Sequence, residues 1–301
     1  MINLLFHDTP SELISVADSA RKFASSNFST HEKEFDINDF KKMAAQGFAG
    51  ASIAENYGGS NLSNFAIANL IFELAKVQLG PAIYLSVHLM SAKLINNFST
   101  NKNDLLSALA NGEKFAAFCL TEANSGSDAA ALQTKAEKRN DKFILNGEKI
   151  YITSAGHADV YLVFARTSAD KTKGISAFIV EKNSPGLSFG KEEKKMGCLG
   201  SPIASVKFDN CEIPEANLLG SPGDGFKIAL SGLDGGRVNI AAAACGLSAS
   251  ALEICSEYAK NRKQFSQSIA DFQGIQFLIS DMLMHLKSSL LLVREAATEL
   301  D

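Results

Sequence analysis

The apolar pattern of this chain changes period twice, and that sets the order of its layers before any single motif is read. From residue 11 to about 111, apolar residues follow helical spacing, as in Phe65, Ala68, Phe72 and their neighbours Asn69, Glu73 and Lys76, with Ser63 available as an N-cap. Tyr57 before Gly58-Gly59 marks a tight break between helices at 55–60. From 114 to 208 the period is two, and short strands are predicted at 115–121, 134–137, 143–145, 149–153, 160–167, 175–181 and 203–208. Turn signals at Asn140-Asp141, Asn146-Gly147 and Ser184-Pro185-Gly186 punctuate them. Helical spacing returns at Asp224, where Phe226, Leu230, Leu233 and Arg237 share a stripe. The alanine-rich 241–244 then lets helices approach closely, and a last helix starts at Phe272. The expected fold is α+β and multi-domain: an N-terminal helical domain over 1–112, a central antiparallel β-barrel-like domain over 113–222, and a C-terminal helical bundle over 223–301.

Composition narrows the function classes. A 301-residue chain that is 46% hydrophobic and 21% charged has enough apolar surface for two or three packed units. Its net charge of −4 gives no global basic field, which argues against a nucleic-acid partner. No apolar run approaches the ~18 residues of a membrane span. Residues 1–10 have neither a basic start nor a small-residue cleavage site, so no secretory leader is expected. Cys119, Cys198, Cys211, Cys245 and Cys255 lie far apart without C-x-x-C spacing, which fits small reduced core residues in a cytoplasmic protein. The five histidines show no metal-ligand spacing either.

The chemistry concentrates where a strand runs into a small-residue loop: Phe118, Cys119, Leu120, Thr121, Glu122, Ala123, Asn124, Ser125, Gly126, Ser127, Asp128. Glycine and short hydroxyl side chains let backbone N–H and side-chain O–H groups converge on a flat polar ring edge or a diphosphate. A plain turn has the same composition, so the loop gains meaning only from the motifs C-terminal to it. Downstream, Asn146-Gly147 between alternating apolar runs predicts a two-residue hairpin, with Tyr151 and Thr153 on one strand face and Ile152 on the other.

The strings "ENYGGSNLS", "FCLTEANSGSDAAAL", "LNGEKIYITSAGHADVYLVFARTS", "KGISAFIVEKNSPGLSFGKEEKKMG", "FDNCEIPEANLLGSPGDGFKIALSGLDGGR" and "YAKNRKQF…FQGIQF" follow one another in this order and together resemble the acyl-CoA dehydrogenase family of flavoenzymes. The resemblance covers nearly the whole chain. It implies FAD as cofactor and an acyl-CoA substrate oxidised to its trans-2-enoyl thioester. A carboxylate takes the α proton while the β hydrogen leaves as hydride to flavin N5. It implies that Phe118, Leu120 and Thr121 line the flavin, that Ser127 meets the diphosphate or the substrate, and that Tyr151, Ile152 and Thr153 form the opposite wall. Two positions depart from the family: Ala123 where Pro is usual, and Tyr151 where Trp is common.

The resemblance further assigns substrate and coenzyme A contacts to Asp234 and Arg237. Read as residues alone, this i,i+3 pair is more simply a surface ion pair within one helix. Arg262, Phe265 and Gln273 match positions that reach a neighbouring subunit's FAD, which implies a homodimer or homotetramer. The 220–225 loop has the glycine content of a phosphate cradle but lacks a βαβ setting, so it is read as a turn and helix start. No catalytic residue can be named. The family's usual Glu lies downstream of Asp301, the minority position is Gly236 here, and His157 and Glu122 have no such role in the family. The sequence therefore reads as a C-terminally truncated acyl-CoA dehydrogenase of short-chain lean, with an electron-transfer flavoprotein as acceptor. A non-catalytic flavin- or acyl-CoA-binding remnant and a flavin monooxygenase on the same fold are the alternatives. On this reading Leu278, Leu283, Leu286 and Leu290 are left short of partners.

Overall fold

The computed structural model describes residues 9–29, 31, 33–100 and 102–301. The leader question at 1–10 falls mostly outside the described residues. The elements in chain order are α1 (Ser11–Asn27), α2 (Ile37–Ala45), α3 (Asn64–Ala75), α4 (Leu79–Phe98), α5 (Asn103–Ala110), β1 (Ala116–Cys119), β2 (Lys135–Arg139) and β3 (Lys142–Thr153). They continue with β4 (Val160–Arg166), β5 (Ile175–Glu181), β6 (Leu187–Phe189), β7 (Ile203–Pro214), β8 (Leu218–Leu219), α6 (Gly225–Asn261), β9 (Lys263–Gln264), β10 (Gln267–Ser268) and α7 (Gln273–Glu299). They form two compact units, one of Lys33–Leu62 and Tyr84–Gly236, the other of Met1–Glu32, Ser63–Ile83 and Arg237–Asp301.

The first unit is built around an eight-stranded sheet in the order β6-β7-β3-β2-β4-β5-β8, with β1 also on β4. Six of the seven residues of β4 are buried, Val160 to Ala165, as expected of a strand covered on both faces. The expectation of an antiparallel sheet holds for most pairs, but β1 and β2 both run parallel to β4. They share one edge of it in succession: β1 pairs along Val160–Val163 and β2 at Arg166. The small-residue loop is thus an interruption of one edge, where the chain leaves the sheet after Cys119 and rejoins it at Lys135. Leu162, Phe164, Ile175, Ala177 and Ile179 form the apolar cluster beneath, with Ile228 and Ala229 of α6.

The predicted hairpin at Asn146-Gly147 is not formed. β3 runs unbroken through both residues, and the reversal between β2 and β3 occurs at Asn140-Asp141, with Asn140 at φ 55°. Gly147 instead sits at a bulge whose extra residue lies on β7, where Asn210 has φ 47°. At φ 148° a Cβ on Gly147 would lie 2.6 Å from Thr134 Oγ1, so glycine is needed for close approach and not for a turn. A second irregularity between Lys149 and Ile152 holds Tyr151 at φ 55°, so strict alternation fails just where it was used to place Tyr151 and Thr153.

The second unit is helical. Ser63 Oγ accepts from Ala66 N at 3.2 Å, as its cap role predicts, and the Asp301 carboxylate accepts from Phe65 N at 3.2 Å at the same helix start. Its core joins Phe65, Ala68 and Phe72 of α3 to Val238, Ala242, Cys245 and Ala249 of α6 and to α7. Leu286 and Leu290 are buried there, contrary to the expectation that they lack partners, whereas Leu278 and Leu283 are exposed. Cys119, Cys211 and Cys245 are buried, but Cys198 is only half-buried and Cys255 is exposed, so not every cysteine is a core residue. By length and composition alone α6 and α7 are apolar enough to cross a membrane, in windows that tolerate the polar residues which interrupt every uniform run. In α6, 44% of that window is buried within the fold.

Candidate functional site

The interruption between β1 and β2 brings two of the predicted walls together. Ile150 N donates to Thr121 O at 2.9 Å, which sets the end of β1 beside the last residues of β3. On the β1 side Phe118 is half-buried against Phe164, ring centroids 5.0 Å apart, and Leu120 is buried in the sheet's apolar cluster. On the β3 side Tyr151 is 64% exposed and Thr153 half-buried, while Ile152 between them is buried and pairs with Ala204 of β7. Tyr151 and Ser154 both adopt left-handed backbone, at φ 55° and 65°. Two such residues within four positions, neither of them glycine, are strain that the surrounding sheet must hold in place.

The loop itself is ordered by polar contacts. Glu122 and Ser125 exchange backbone hydrogen bonds, and Ser125 Oγ donates to Asp128 O at 2.8 Å. Ser127, which the resemblance assigns to diphosphate or substrate, is exposed beside them, and a Cβ at Gly126 would meet nothing within 4 Å. Arg166 at the end of β4 donates to Ala130 O at 2.7 Å, to Leu132 O at 3.1 Å and to Asp170 O at 2.6 Å. Glu122 is structural: its carboxylate accepts from Gln133 N at 2.6 Å, from Thr134 N at 3.0 Å and from Lys149 Nζ at 2.7 Å. Burial pushes the Glu122 carboxyl up, but Lys149 and these donors outweigh it and hold it below the usual carboxylate value. His157 points its Nε2 at Glu192 at 2.7 Å and packs on Phe35, so it too has a local structural account.

Lys149 was missed by sequence reasoning. A signal was present, because a lysine at an alternating position among apolar residues of a buried strand has no solvent to reach and must find an anion.

Asp234 and Arg237 are exposed one turn apart on α6. Gly232 and Gly236 on this stretch face α4: added Cβ atoms would meet Leu94 Cδ1 at 2.7 Å and Met90 Sδ at 2.9 Å. In the helical unit Arg237 also lines an apolar groove of about 450 Å³ with Val238, Ala241, Leu292 and Ala296. The 220–225 segment is the turn it was read as: Ser221 N donates to Asp224 Oδ2 at 2.9 Å, and Ile228 N to Asp224 O. Among the described residues no group of His, Cys, Asp and Glu is placed to hold a metal ion.

Arg262 directly follows α6, its N–H donating to Tyr258 O at 2.8 Å, and Phe265 lies in the turn of the β9–β10 hairpin. Phe265 and Ser266, at φ 51° and 65°, make a two-residue turn with positive φ at both positions, a conformation that asparagine and glycine normally supply. It presents Phe265 at 89% exposure, its ring edge-on to Phe272 at 6.1 Å, ahead of the exposed Gln273. The donor set fits the FAD that the resemblance implies: the Ser127 and Thr153 hydroxyls for polar edges and the exposed Tyr151 for a ring face.

Comparison with known proteins gives a consistent picture. Family models match in order: the acyl-CoA dehydrogenase N-terminal domain over 10–113, middle domain over 117–211 and C-terminal domain over 223–301. An acyl-CoA dehydrogenase of Bacillus subtilis is 43% identical over 94% of this chain and 76% of its own length. The mitochondrial isobutyryl-CoA dehydrogenase of Dictyostelium discoideum is 42% identical over 90% and 66%. The acryloyl-CoA reductase (NADH) of Anaerotignum propionicum is 41% identical over 88% and 69%. The chain thus spans about two thirds to three quarters of these relatives. Among solved structures, butyryl-CoA dehydrogenase of Megasphaera elsdenii aligns with TM-score 0.94 at 37% identity over 98% of this chain and 81% of its own. PigA with FAD and proline aligns at 0.93 and 30%, covering 98% and 80%. A structure described as the electron transferring flavoprotein of Acidaminococcus fermentans aligns at 0.93 and 39%, over 98% and 80%.

Proposed function

The chain belongs to the acyl-CoA dehydrogenase family of FAD-dependent oxidoreductases, and from that premise we propose that it acts on a short-chain saturated acyl-CoA and passes electrons to an electron-transfer flavoprotein. The observation that carries this reading is the pairing of the Thr121 backbone with β3 at the strained Tyr151 to Ser154 segment, an arrangement of two facing walls with polar loop donors at one end. The alignment with a butyryl-CoA dehydrogenase supports the short chain, and the acceptor is the one that the family resemblance implies. Fatty-acid β-oxidation in the cytoplasm, by a homodimer or homotetramer, completes the proposal.

FAD, when bound, supplies the two-electron acceptor for the β hydrogen. In this assignment Thr121, through its backbone, and Ser127 and Thr153, through their hydroxyls, orient the cofactor, and Tyr151 covers one ring face. Asp234 and Arg237 hold the thioester-bearing ligand, with Arg237 suited to phosphate or carbonyl oxygens. Arg262, Phe265 and Gln273 serve a neighbouring subunit's cofactor. The α proton needs a carboxylate, and Gly236 supplies none.

The test is direct. Purified chain should bind FAD with a visible flavin band, and Thr153→Ala should weaken or shift it. With a base available, butyryl-CoA should bleach the band faster than a long-chain thioester does. A colourless chain that takes up no FAD at high concentration would sink the assignment. A second reading has support from the acryloyl-CoA reductase relative: the same two-electron transfer run toward the saturated thioester. Oxidation of NADH by an enoyl-CoA in the presence of the chain would distinguish it.

A further inference from the structure

We propose that Lys149 and Glu122 are positioning residues for the flavin walls: their buried ion pair pins the interrupted strand edge so that Thr121 and Tyr151 to Thr153 hold one spacing. This rests on the FAD assignment above and adds to it two residues that touch neither cofactor nor substrate in that assignment. The Lys149 side chain is fully buried, and its ammonium has two partners, Glu122 Oε1 at 2.7 Å and Leu120 O at 3.0 Å. Glu122 in turn holds Gln133 N and Thr134 N. One ion pair therefore ties four chain segments: the end of β1, the loop, the entry to β2, and β3 two residues before Tyr151.

The choice of residues matters because a buried ion pair is poor value for stability alone. Desolvation offsets most of its attraction, and apolar residues of similar volume commonly do as well or better. A pair of this kind is best used to fix register, since its partners demand defined positions whereas apolar contacts tolerate sliding. Here the edge has no strand ladder to fix register: after Cys119 it does not pair with β4 again until Thr134 O accepts from Arg166 N at 2.7 Å. Arg166 anchors the far part of the loop at Ala130 and Leu132, and the ion pair anchors the near part, which carries Thr121. Burial lowers the Lys149 pKa, with the Glu122 carboxylate holding it up, so each charge depends on the other.

The experiment compares Glu122→Gln, Lys149→Met and the double variant with the unmodified chain. A control double variant, Lys76→Met with Glu253→Gln, removes the 3.1 Å ion pair of the helical unit. FAD titration followed by fluorescence, with visible dichroism of the bound flavin, reads the spacing of the walls. Amide hydrogen exchange over 120–134 in the FAD-free chain reads the tether without cofactor. The double variant should stay folded, lose at least about tenfold in FAD affinity, alter the flavin dichroism and exchange faster only in that segment. The control should change none of these. Should Lys149→Met fail to fold, Glu122→Gln keeps an acceptor for Lys149 and Thr134 without the charge, and reads the same quantities. Unchanged exchange in any folded variant, or FAD affinity within twofold with identical dichroism, overturns the proposal. An unmodified chain that binds no FAD overturns the assignment of function instead, and the exchange result still decides the tether.

Discussion

The 120–134 loop and helix α7 show two different ways for a segment to be ordered. The loop has almost no repeating hydrogen bonds, yet its backbone groups at Leu120, Ala130, Leu132, Gln133 and Thr134 are held by the side chains of Lys149, Arg166 and Glu122. Helix α7 satisfies its own backbone over 27 residues, yet only Leu286, Leu290, Val293 and Ala297 are buried. Regular structure and tertiary fixation are therefore separate properties. A site that must hold two walls at one spacing uses the second, and does so on the segment with least of the first.

The largest predicted effect tests how narrow the packed stripe of α7 is. Leu290 is fully buried among Phe65, Phe72 and Val293, so Leu290→Ala should cost about 4 kcal/mol, read as a lower midpoint in urea. Leu278, at 61% exposure, should change the midpoint hardly at all when made Ala. Equal effects would mean that α7 is fixed along its length and that the contrast with the loop is false.

Acid should act on the other side of the comparison. His88 of α4 is buried, accepts from Ala116 N at the start of β1 through Nδ1, and faces Ala49 O with Nε2 at 3.2 Å. Desolvation pushes its pKa down from 6.5 to about 4. The folded state binds the proton less readily than the unfolded one, so this contribution is complete above pH 6.5 and lost as pH falls toward 4. The loss approaches about 3 kcal/mol, because each pKa unit is worth about 1.4 kcal/mol. Melting temperature against pH should fall in that window, ahead of the carboxylates, and flatten in His88→Gln. A parallel fall in both proteins would place the acid sensitivity elsewhere.

Much of the architecture was legible in the sequence because it depends on period: the helical, strand and helical stretches, the Ser63 cap and the 220–225 turn. The illegible part depends on pairing at a distance. Asn146-Gly147 has the composition of a hairpin, and only the approach of Thr134 and the extra residue Asn210 on β7 make it a bulge. Leu286 and Leu290 look like Leu278 in sequence, and the difference lies in α3 and α6 being there to cover them. The candidate site residues were assigned through family motifs, while Lys149, the hub that local contacts reveal, carries no signal beyond a charge in an apolar strand.

Adding a carboxylate sharpens the functional side of the contrast. Gly236→Glu places one on α6, where the new Cβ must displace only the Met90 Sδ, the mobile part of a flexible side chain. In FAD-loaded protein, reduction of an artificial acceptor with butyryl-CoA should rise by about 10², the lower range for gaining a general base, and rise further when Met90→Ala clears the space. A parent already turning over at that rate would show that a base is present elsewhere.

The smallest effect concerns the hairpin before α7, where strain again marks an assigned contact. Phe265 at φ 51° bears a backbone conformation that costs an L-residue about 1 kcal/mol, and glycine adopts it freely. Phe265→Gly should therefore raise stability slightly or leave it unchanged, although it deletes an aromatic that packs edge-on against Phe272 at 6.1 Å. If Phe265 serves a neighbouring subunit's FAD, the same change should lower flavin occupancy and assembly together, measured by light scattering with flavin absorbance. Gain of stability with loss of occupancy is the signature of strain kept for a contact outside the chain, because a residue retained for local packing would lose stability and leave occupancy alone.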